Sequence, residues 1–172
     1  MKLFFLIFIF ALTLNANNFY SIGVGNNTFD YIDKTTTNYK TKTNKELMFE
    51  YGYDNMQTYR LYFDGQLSSE NQSIGAMAEY AQRLRFLPSW IKQAVGLPTI
   101  SFGIGYGYNS TEIQNDTINS TSFNMNYGLM FELDRYILKI GNKIKDYQST
   151  TVNSHDYDLS SDVKYIMIQI NY

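Results

Sequence analysis

The chain has 172 residues, the length of a single domain, and its formal charge of -2 gives no electrostatic reason to expect nucleic acid as a partner. It contains no cysteine, which excludes disulfides, cysteine-ligated zinc and a thiol nucleophile. Tyr and Phe are frequent, with 16 and 12 copies, whereas the mean hydropathy of -0.31 argues against a bundle of membrane-spanning helices.

The first 16 residues have the pattern of a cleavable export signal. Lys2 supplies a positive charge, residues 3–14 form an apolar run too short to span a bilayer, and Ala16 is a small residue suited to cleavage. We therefore predict a signal peptide at 1–16 and a mature domain at 17–172, with an uncleaved anchor or a buried helix as the alternative. Since no later apolar run approaches 20 residues, the exported chain is either a soluble β domain or a membrane β-barrel.

Apolar and polar residues alternate with a period of two in eight segments of the mature chain, which predicts eight strands. The predicted strands are 19–25, 45–53, 58–64, 73–85, 100–108, 121–133, 136–146 and 163–172. Four polar stretches, at 26–44, 66–72, 109–120 and 147–162, predict exposed loops after the odd-numbered strands. After the even-numbered strands we predict two tight turns and, at 87–98, a short helical turn that carries Trp90.

The residue types on the two strand faces favour a narrow membrane barrel over a soluble β-sandwich. The apolar face is rich in Tyr near the strand ends, where aromatic residues suit a membrane interface. The second face carries Gly103, Gly105 and Gly107 in one strand and charges of both signs in others, which suits a crowded barrel interior. A sandwich would instead spread charge along a face that meets water.

The last strand places Ile166, Ile168, Ile170 and Tyr172 on one face and ends in an aromatic residue. This pattern resembles the C-terminal signature of small outer-membrane β-barrel proteins. The resemblance implies an all-β fold, a transmembrane eight-stranded antiparallel up-and-down barrel, in the outer membrane of a Gram-negative bacterium with a periplasmic N-terminus. It also implies that these four residues form an assembly signal read by the outer-membrane assembly machinery, and that outer-membrane lipid and lipopolysaccharide surround the barrel. A monomer is favoured.

An eight-stranded barrel is just wide enough to be filled by side chains, so inward-facing charges must pair. We predict an interior charge network, whose members are Glu50, Arg60, Glu79, Arg83, Glu132, Lys139 and Lys143. A three-residue turn at 54–56 would set Glu50 opposite Arg60 and, unfavourably, Glu46 opposite Asp64. A two-residue turn at 134–135 would set Glu132 diagonal to Lys139.

The sequence contains few candidate residues for catalysis or metal binding. His155, the single histidine, lies beside Asp156 in a predicted loop, where adjacent residues rarely hold catalytic geometry. The acidic residues of the same loop lack the spacing of a calcium site. We therefore predict no cofactor, no metal site and no enzymatic activity. The expected function is structural, with surface interactions through external loops; the alternatives are a narrow porin-like channel and, less favoured, a lipid-modifying enzyme.

Overall fold

The computed structural model describes residues 17–54, 58–90, 98–113, 116–133 and 135–172. The predicted signal peptide, residues 1–16, lies outside the described residues. Among the described residues, no helix is long and apolar enough to cross a membrane. The strands are β1 (Asn17–Asp33), β2 (Asn38–Asp54), β3 (Tyr59–Leu67), β4 (Asn71–Arg83), β5 (Thr99–Ile113), β6 (Asp116–Leu133), β7 (Tyr136–Tyr147), β8 (Thr150–Val152) and β9 (His155–Asn171).

Eight of these strands form a closed antiparallel barrel, which confirms the predicted fold class. Strands β1 to β7 pair in chain order, β7 pairs with β9, and β9 pairs with β1 to close the sheet. The short β8 pairs only with β9, in the hairpin that connects β7 to β9. Closure leaves the barrel strands without an unpaired edge, so their backbone groups are satisfied within the sheet.

The pairing register fixes the tilt of the strands. Following paired residues once around the barrel from Asp54 of β2, through Arg60, leads back to β2 at Asn44, ten residues away. With ordinary strand spacings, a stagger of ten in eight strands gives a tilt of about 41°. A row of directly paired residues therefore runs obliquely around the barrel rather than level with its rim.

Outward faces carry an apolar belt. On β5 the side chains of Ile100, Phe102 and Ile104 are about half exposed, whereas Ser101 between them is buried inside. Tyrosines such as Tyr59 and Tyr136 lie near the ends of the belt. Alternation of this kind puts every second residue of a strand against lipid, and the remaining ones into the lumen.

The barrel has two distinct ends. The proximal end contains residue 17, the C-terminus and the connections after β2, β4 and β6. Of the predicted helical turn at 87–98, residues 89 and 90 are helical, and residues 91–97 lie outside the described residues. The opposite, distal end contains the connections after β1, β3, β5 and β7.

The predicted long loops at the distal end were wrong in extent. The segment 26–44 is mostly strand, because β1 and β2 stay paired as far as Asp33 and Asn38. Likewise β5 and β6 stay paired as far as Ile113 and Asp116. The Thr-rich composition of these stretches is compatible with strands, since threonine has a β-branched side chain that packs well on a sheet. The strands thus continue beyond the apolar belt as a paired collar, residues 26–33, 38–45, 110–113, 116–121 and 155–164.

Candidate functional site

The lumen holds the polar side chains of the molecule and is the candidate functional site. Within the belt, apolar inward-facing residues such as Phe19, Met48 and Met167 are interspersed with charged or hydrogen-bonding ones that are almost fully buried. The polar members include Ser21, Glu46, Glu50, Asp54, Arg60, Asp64, Glu79, Asn126, Lys139, Lys143, Lys145 and Gln169. Because a buried charge without a partner costs several kcal/mol, the contacts of each charge decide whether this arrangement is stable.

Arg60 is the centre of the proximal part of the lumen. Its guanidinium forms a salt bridge with Glu79 and lies 3.4 Å from Asp54 and 3.8 Å from Glu50, all from neighbouring β2 and β4. It also lies 4.3 Å from the centre of the Phe19 ring, a cation–π contact. Three carboxylates around one guanidinium leave excess negative charge, which the lysines of β7 offset.

Two lysines of β7 cross the lumen to acids on the opposite side. Lys139 Nζ donates to Glu50 at 2.5 Å, and Lys143 Nζ donates to Asp64 at 2.7 Å. Glu50 and Asp64 are directly opposite each other in the β2–β3 ladder, so each carboxylate of this like-charged pair receives its own ammonium group. Lys139 and Lys143, both on the inner face of β7, thus link this strand electrostatically to β2 and β3.

The third lysine of β7 has neutral partners. Lys145 Nζ donates to Ser73 at 2.8 Å and to Asn109 at 3.2 Å. On the other side of the lumen, Glu46 accepts from Asn27 at 2.6 Å and from Asn71 at 3.0 Å. Amide and hydroxyl groups therefore solvate one buried cation and one buried anion in the distal part of the belt.

A chain of hydrogen bonds joins the two sides of the lumen at mid-height. Tyr165 donates to Asn126 at 2.8 Å, and Asn126 in turn donates to Glu79 at 2.7 Å. Tyr62 donates to the same Glu79 oxygen at 2.9 Å. The polar side-chain atoms of this hydrogen-bonded chain each contact another side chain. These side chains therefore fix one another's positions and fill the lumen at this height.

The register differs from the sequence prediction at the β2–β3 hairpin. Asp54, not Glu50, lies opposite Arg60, and Glu46 does not face Asp64. The turn is longer than the predicted three residues, which moves each pairing along the strand. The β6–β7 register agrees with the diagonal placement of Glu132 and Lys139, because Glu132 is paired with Ile137. Their side chains nevertheless bind elsewhere, Lys139 to Glu50 and Glu132 to Arg83.

Arg83 and Glu132 lie at the proximal mouth rather than within the lumen. Their side chains join at 2.6 Å and remain 24% and 41% exposed, so the pair is solvated. The mouth forms a vestibule of about 420 Å³, bounded by this pair, Asp54 and Arg135. The Arg60 cluster therefore closes the vestibule from the lumen side.

The distal end of the lumen is closed by an apolar cluster. Aromatic and aliphatic side chains from five strands point inward above the polar layers and are at most 4% exposed. They are Phe29, Tyr31, Ile113, Ile118, Tyr147, Tyr157 and Leu159, with Val152 packed against them. We call this set the distal plug. Except for Tyr147 and Val152, these residues lie on the inner face of the collar, whose outer face is mostly polar, so the collar has the inside-apolar pattern of a water-soluble protein.

His155 contacts the distal turn after β1. Its Nδ1 lies 2.9 Å from Asp33, and its ring stacks on Tyr157 at 6.2 Å between centroids. Asp33 also accepts from the hydroxyl of Thr36 at 2.6 Å. This hydrogen bond from Thr36, together with those from His155 and the turn amides, lowers the pKa of Asp33 to about 2 against the opposing effect of desolvation. Among the described residues, no cluster of three or more His, Asp or Glu side chains could hold a metal ion.

The predicted assembly residues lie on the outer face at the closing seam. Ile166 and Ile168 are about half exposed, and Tyr172 is 63% exposed. The backbone amide of Tyr172 donates to Asn18 of β1 at 2.9 Å, and its ring lies 6.0 Å from Tyr20. Ile170 pairs with Tyr20 in the ladder. The four residues thus form one surface beside the first strand.

The predicted charge network omitted several buried lumen groups: Glu46, Asp54, Tyr62, Asp64, Asn126, Lys145 and Gln169. The alternation of the strands already placed all of them except Asp54 on the inner face. Their contact partners could not be predicted, because lumen contacts join strands that are distant in the chain.

No protein-family model and no curated protein sequence matches this chain. Among solved structures, Neisserial surface protein A is similar, with a TM-score of 0.55 and 12% identity over 90% of this chain and 97% of that chain. The outer membrane protein AlkL, solved in lipid bilayers, gives 0.54 and 9% identity over 92% and 90%. At these identities the likeness is one of fold: the eight-stranded barrel of small outer-membrane proteins, as the sequence predicted.

Proposed function

We propose that this protein is a non-conducting, non-enzymatic barrel of the outer membrane of a Gram-negative bacterium, which displays its distal collar at the cell surface. In this orientation the N-terminus and the proximal vestibule are periplasmic. The observation that supports the proposal best is the filled lumen, in which cross-lumen ion pairs lie beneath the apolar distal plug. Ions would have to disrupt both layers to pass.

The function left to such a barrel is structural and interactive. The collar presents Tyr39, which is 62% exposed, and Ile32, which is 40% exposed, on its outer surface. Tyr39 and Thr41 both donate to Asp30, so this surface is ordered by its own hydrogen bonds. An ordered surface loses little conformational entropy when it binds a partner.

Absence of enzymatic activity is part of the proposal. The geometry of His155 supports it, because the imidazole is engaged with Asp33, which also holds the turn through Thr36. The contact of His155 with Asp33 thus gives the imidazole a structural role in the distal turn. The corresponding test is a lipid-deacylation and peptidase screen of the folded protein. Activity that disappears in His155→Ala would contradict this part of the proposal.

Conductance in planar lipid bilayers tests the proposed lumen closure. The mature chain, folded in detergent and reconstituted, should give no discrete current steps. Lys143→Ala in the lumen and Ile104→Ala on the lipid face form a matched pair of variants. Reproducible steps in the wild type that change with Lys143→Ala but not with Ile104→Ala would assign a channel through the lumen and refute the proposal.

A further inference from the structure

A groove on the lipid-facing surface runs obliquely across β5, β6, β7, β9, β1 and β2. Its volume is about 1020 Å³, and it lies between two parallel rows of outward-facing residues. The first row is aliphatic and consists of Ile100, Leu129, Ile140, Ile166 and Val24, each paired with the next. The second row is polar and consists of Tyr127, Asn142, Lys164, Asn26 and Lys45, again paired in sequence.

The floor of the groove is bare backbone where two glycines meet. Gly128 and Gly141 are directly paired between the rows. A Cβ on Gly141 would lie 2.5 Å from the hydroxyl of Tyr165 and 2.6 Å from the carbonyl oxygen of Tyr127, so no larger residue fits there without displacement. Both glycines face the lumen, where Tyr165 packs against Gly141, so the outer surface between the two rows is formed by backbone alone.

The two ends of the groove differ in chemistry. Because of the strand tilt, each step along a row from β5 towards β2 climbs about 3 Å along the barrel axis towards the distal end. The aliphatic end, at Ile100 and Leu129, is therefore proximal. Lys164 and Lys45, at the other end, reach the distal edge of the apolar belt, where lipid headgroups begin.

These two lysines are exposed and make no ion pair among the described residues. Asn26 lies between them, paired with Lys45 on one side and with Lys164 on the other. Lysine stems can lie along an apolar surface while the ammonium groups reach the interface. Two cations flanking an amide thus form an anion-binding edge above an apolar furrow.

We propose that this groove binds lipid A of lipopolysaccharide, with a phosphate at Lys45 and Lys164 and an acyl chain along the aliphatic row. The inference rests on the proposed outer-membrane location, since lipid A belongs to the outer leaflet. The groove combines a cationic edge with an aliphatic row, so it complements a lipid that carries both phosphate groups and acyl chains. Asp162, one outward position beyond Lys164 on β9, places the phosphate on the groove side of that lysine.

Binding of purified bisphosphorylated lipid A to the folded protein in detergent, measured by native mass spectrometry, tests the inference. Each neutralised lysine should weaken binding about fivefold, in line with the attraction of one basic residue to an anionic lipid surface. Lys45→Gln with Lys164→Gln should therefore lower affinity on the order of 30-fold. Lys40→Gln, on the same strand outside the groove, should change nothing, and Asp162→Asn should bind at least as tightly as the wild type.

A second pair of variants tests the acyl contact. Ile140 in the groove and Ile104 outside it are similarly exposed, at 45% and 47%. Ile140→Ser should weaken lipid A binding, whereas Ile104→Ser should leave it unchanged. Equal binding by the lysine double variant, or equal competition by phosphatidylglycerol of matched chain length, would overturn the inference. Failure of the barrel to insert into bilayers would instead overturn the proposed location, and a gel-mobility assay of folding detects that separately.

Discussion

The cross-lumen pair of Lys143 and Asp64 gives the sharpest prediction for stability. Both side chains are at most 3% exposed, and the ammonium of Lys143 is the partner of Asp64. Lys143→Met removes that partner and leaves Asp64 facing Glu50 across the ladder. Breaking a buried pair costs 3–5 kcal/mol, and like charges about 5 Å apart repel by roughly 3 kcal/mol at an effective dielectric of 20. We expect the free energy of unfolding to fall by about 4 kcal/mol.

Urea unfolding in phospholipid vesicles, followed by the gel mobility of unboiled samples, measures this loss. Lys143→Met combined with Asp64→Leu removes both charges and should recover at least half of it, since an apolar pair of similar volume is often neutral. Lys34→Met is the matched control, because Lys34 and Asp158 form an exposed pair at 3.4 Å, worth about 1 kcal/mol or less. A loss below about 1 kcal/mol in Lys143→Met, or a double variant no more stable than the single, would refute the reasoning.

Three further predictions concern the lipid face, the seam and the collar. Ile104→Arg should cost about 2–4 kcal/mol because it places a charge in the belt, whereas Ser101→Arg should act by crowding the lumen; urea titration in vesicles that shows equal tolerance of both would contradict the facing. Tyr172→Ala should slow folding in the presence of the purified assembly machinery more than in detergent alone, and equal slowing in both would reject a recognised signal. Above pH 4, ionised Asp33 should protect the turn amides that donate to it; because its pKa is lowered to about 2, this protection is lost as pH falls through about 2, and Asp33→Asn should show reduced protection at pH 5 in hydrogen exchange.

The strands inside the belt were predictable because their physical constraint is strictly periodic. Lipid on one side and a filled lumen on the other force alternation, so residues 100–108 could be assigned to a strand and to its two faces. The collar was missed because polar composition was interpreted as loop. A signal was present: the apolar residues of β1 change from the even positions Ile22 and Val24 to the odd positions Phe29 and Tyr31. The change marks where the apolar side turns from lipid to lumen within one continuous strand.

Interior pairing was less predictable for a topological reason. Hairpin arguments relate neighbours in the sheet, and the pairs formed by Lys139 and Lys143 span the lumen from β7 to β2 and β3. Which residues meet across the lumen depends on the stagger of the closed barrel, and the sequence of a single hairpin does not determine that stagger. An error in one turn length also shifts every pairing after it, which is how Arg60 came to be assigned to Glu50 instead of Asp54.

The paired collar also determines how the distal end can be recognised and modified. The isolated peptide 26–44 is a flexible chain. In the protein the same residues form two hydrogen-bonded strands with alternate side chains turned inward, so an antibody raised against the peptide recognises a different conformation. Epitopes at this end are therefore discontinuous and span neighbouring strands. An epitope tag is best accommodated at a hairpin tip such as residues 34–37. An insertion within the ladder would shift the pairing of every residue beyond it and, with an odd number of residues, would also reverse their facing.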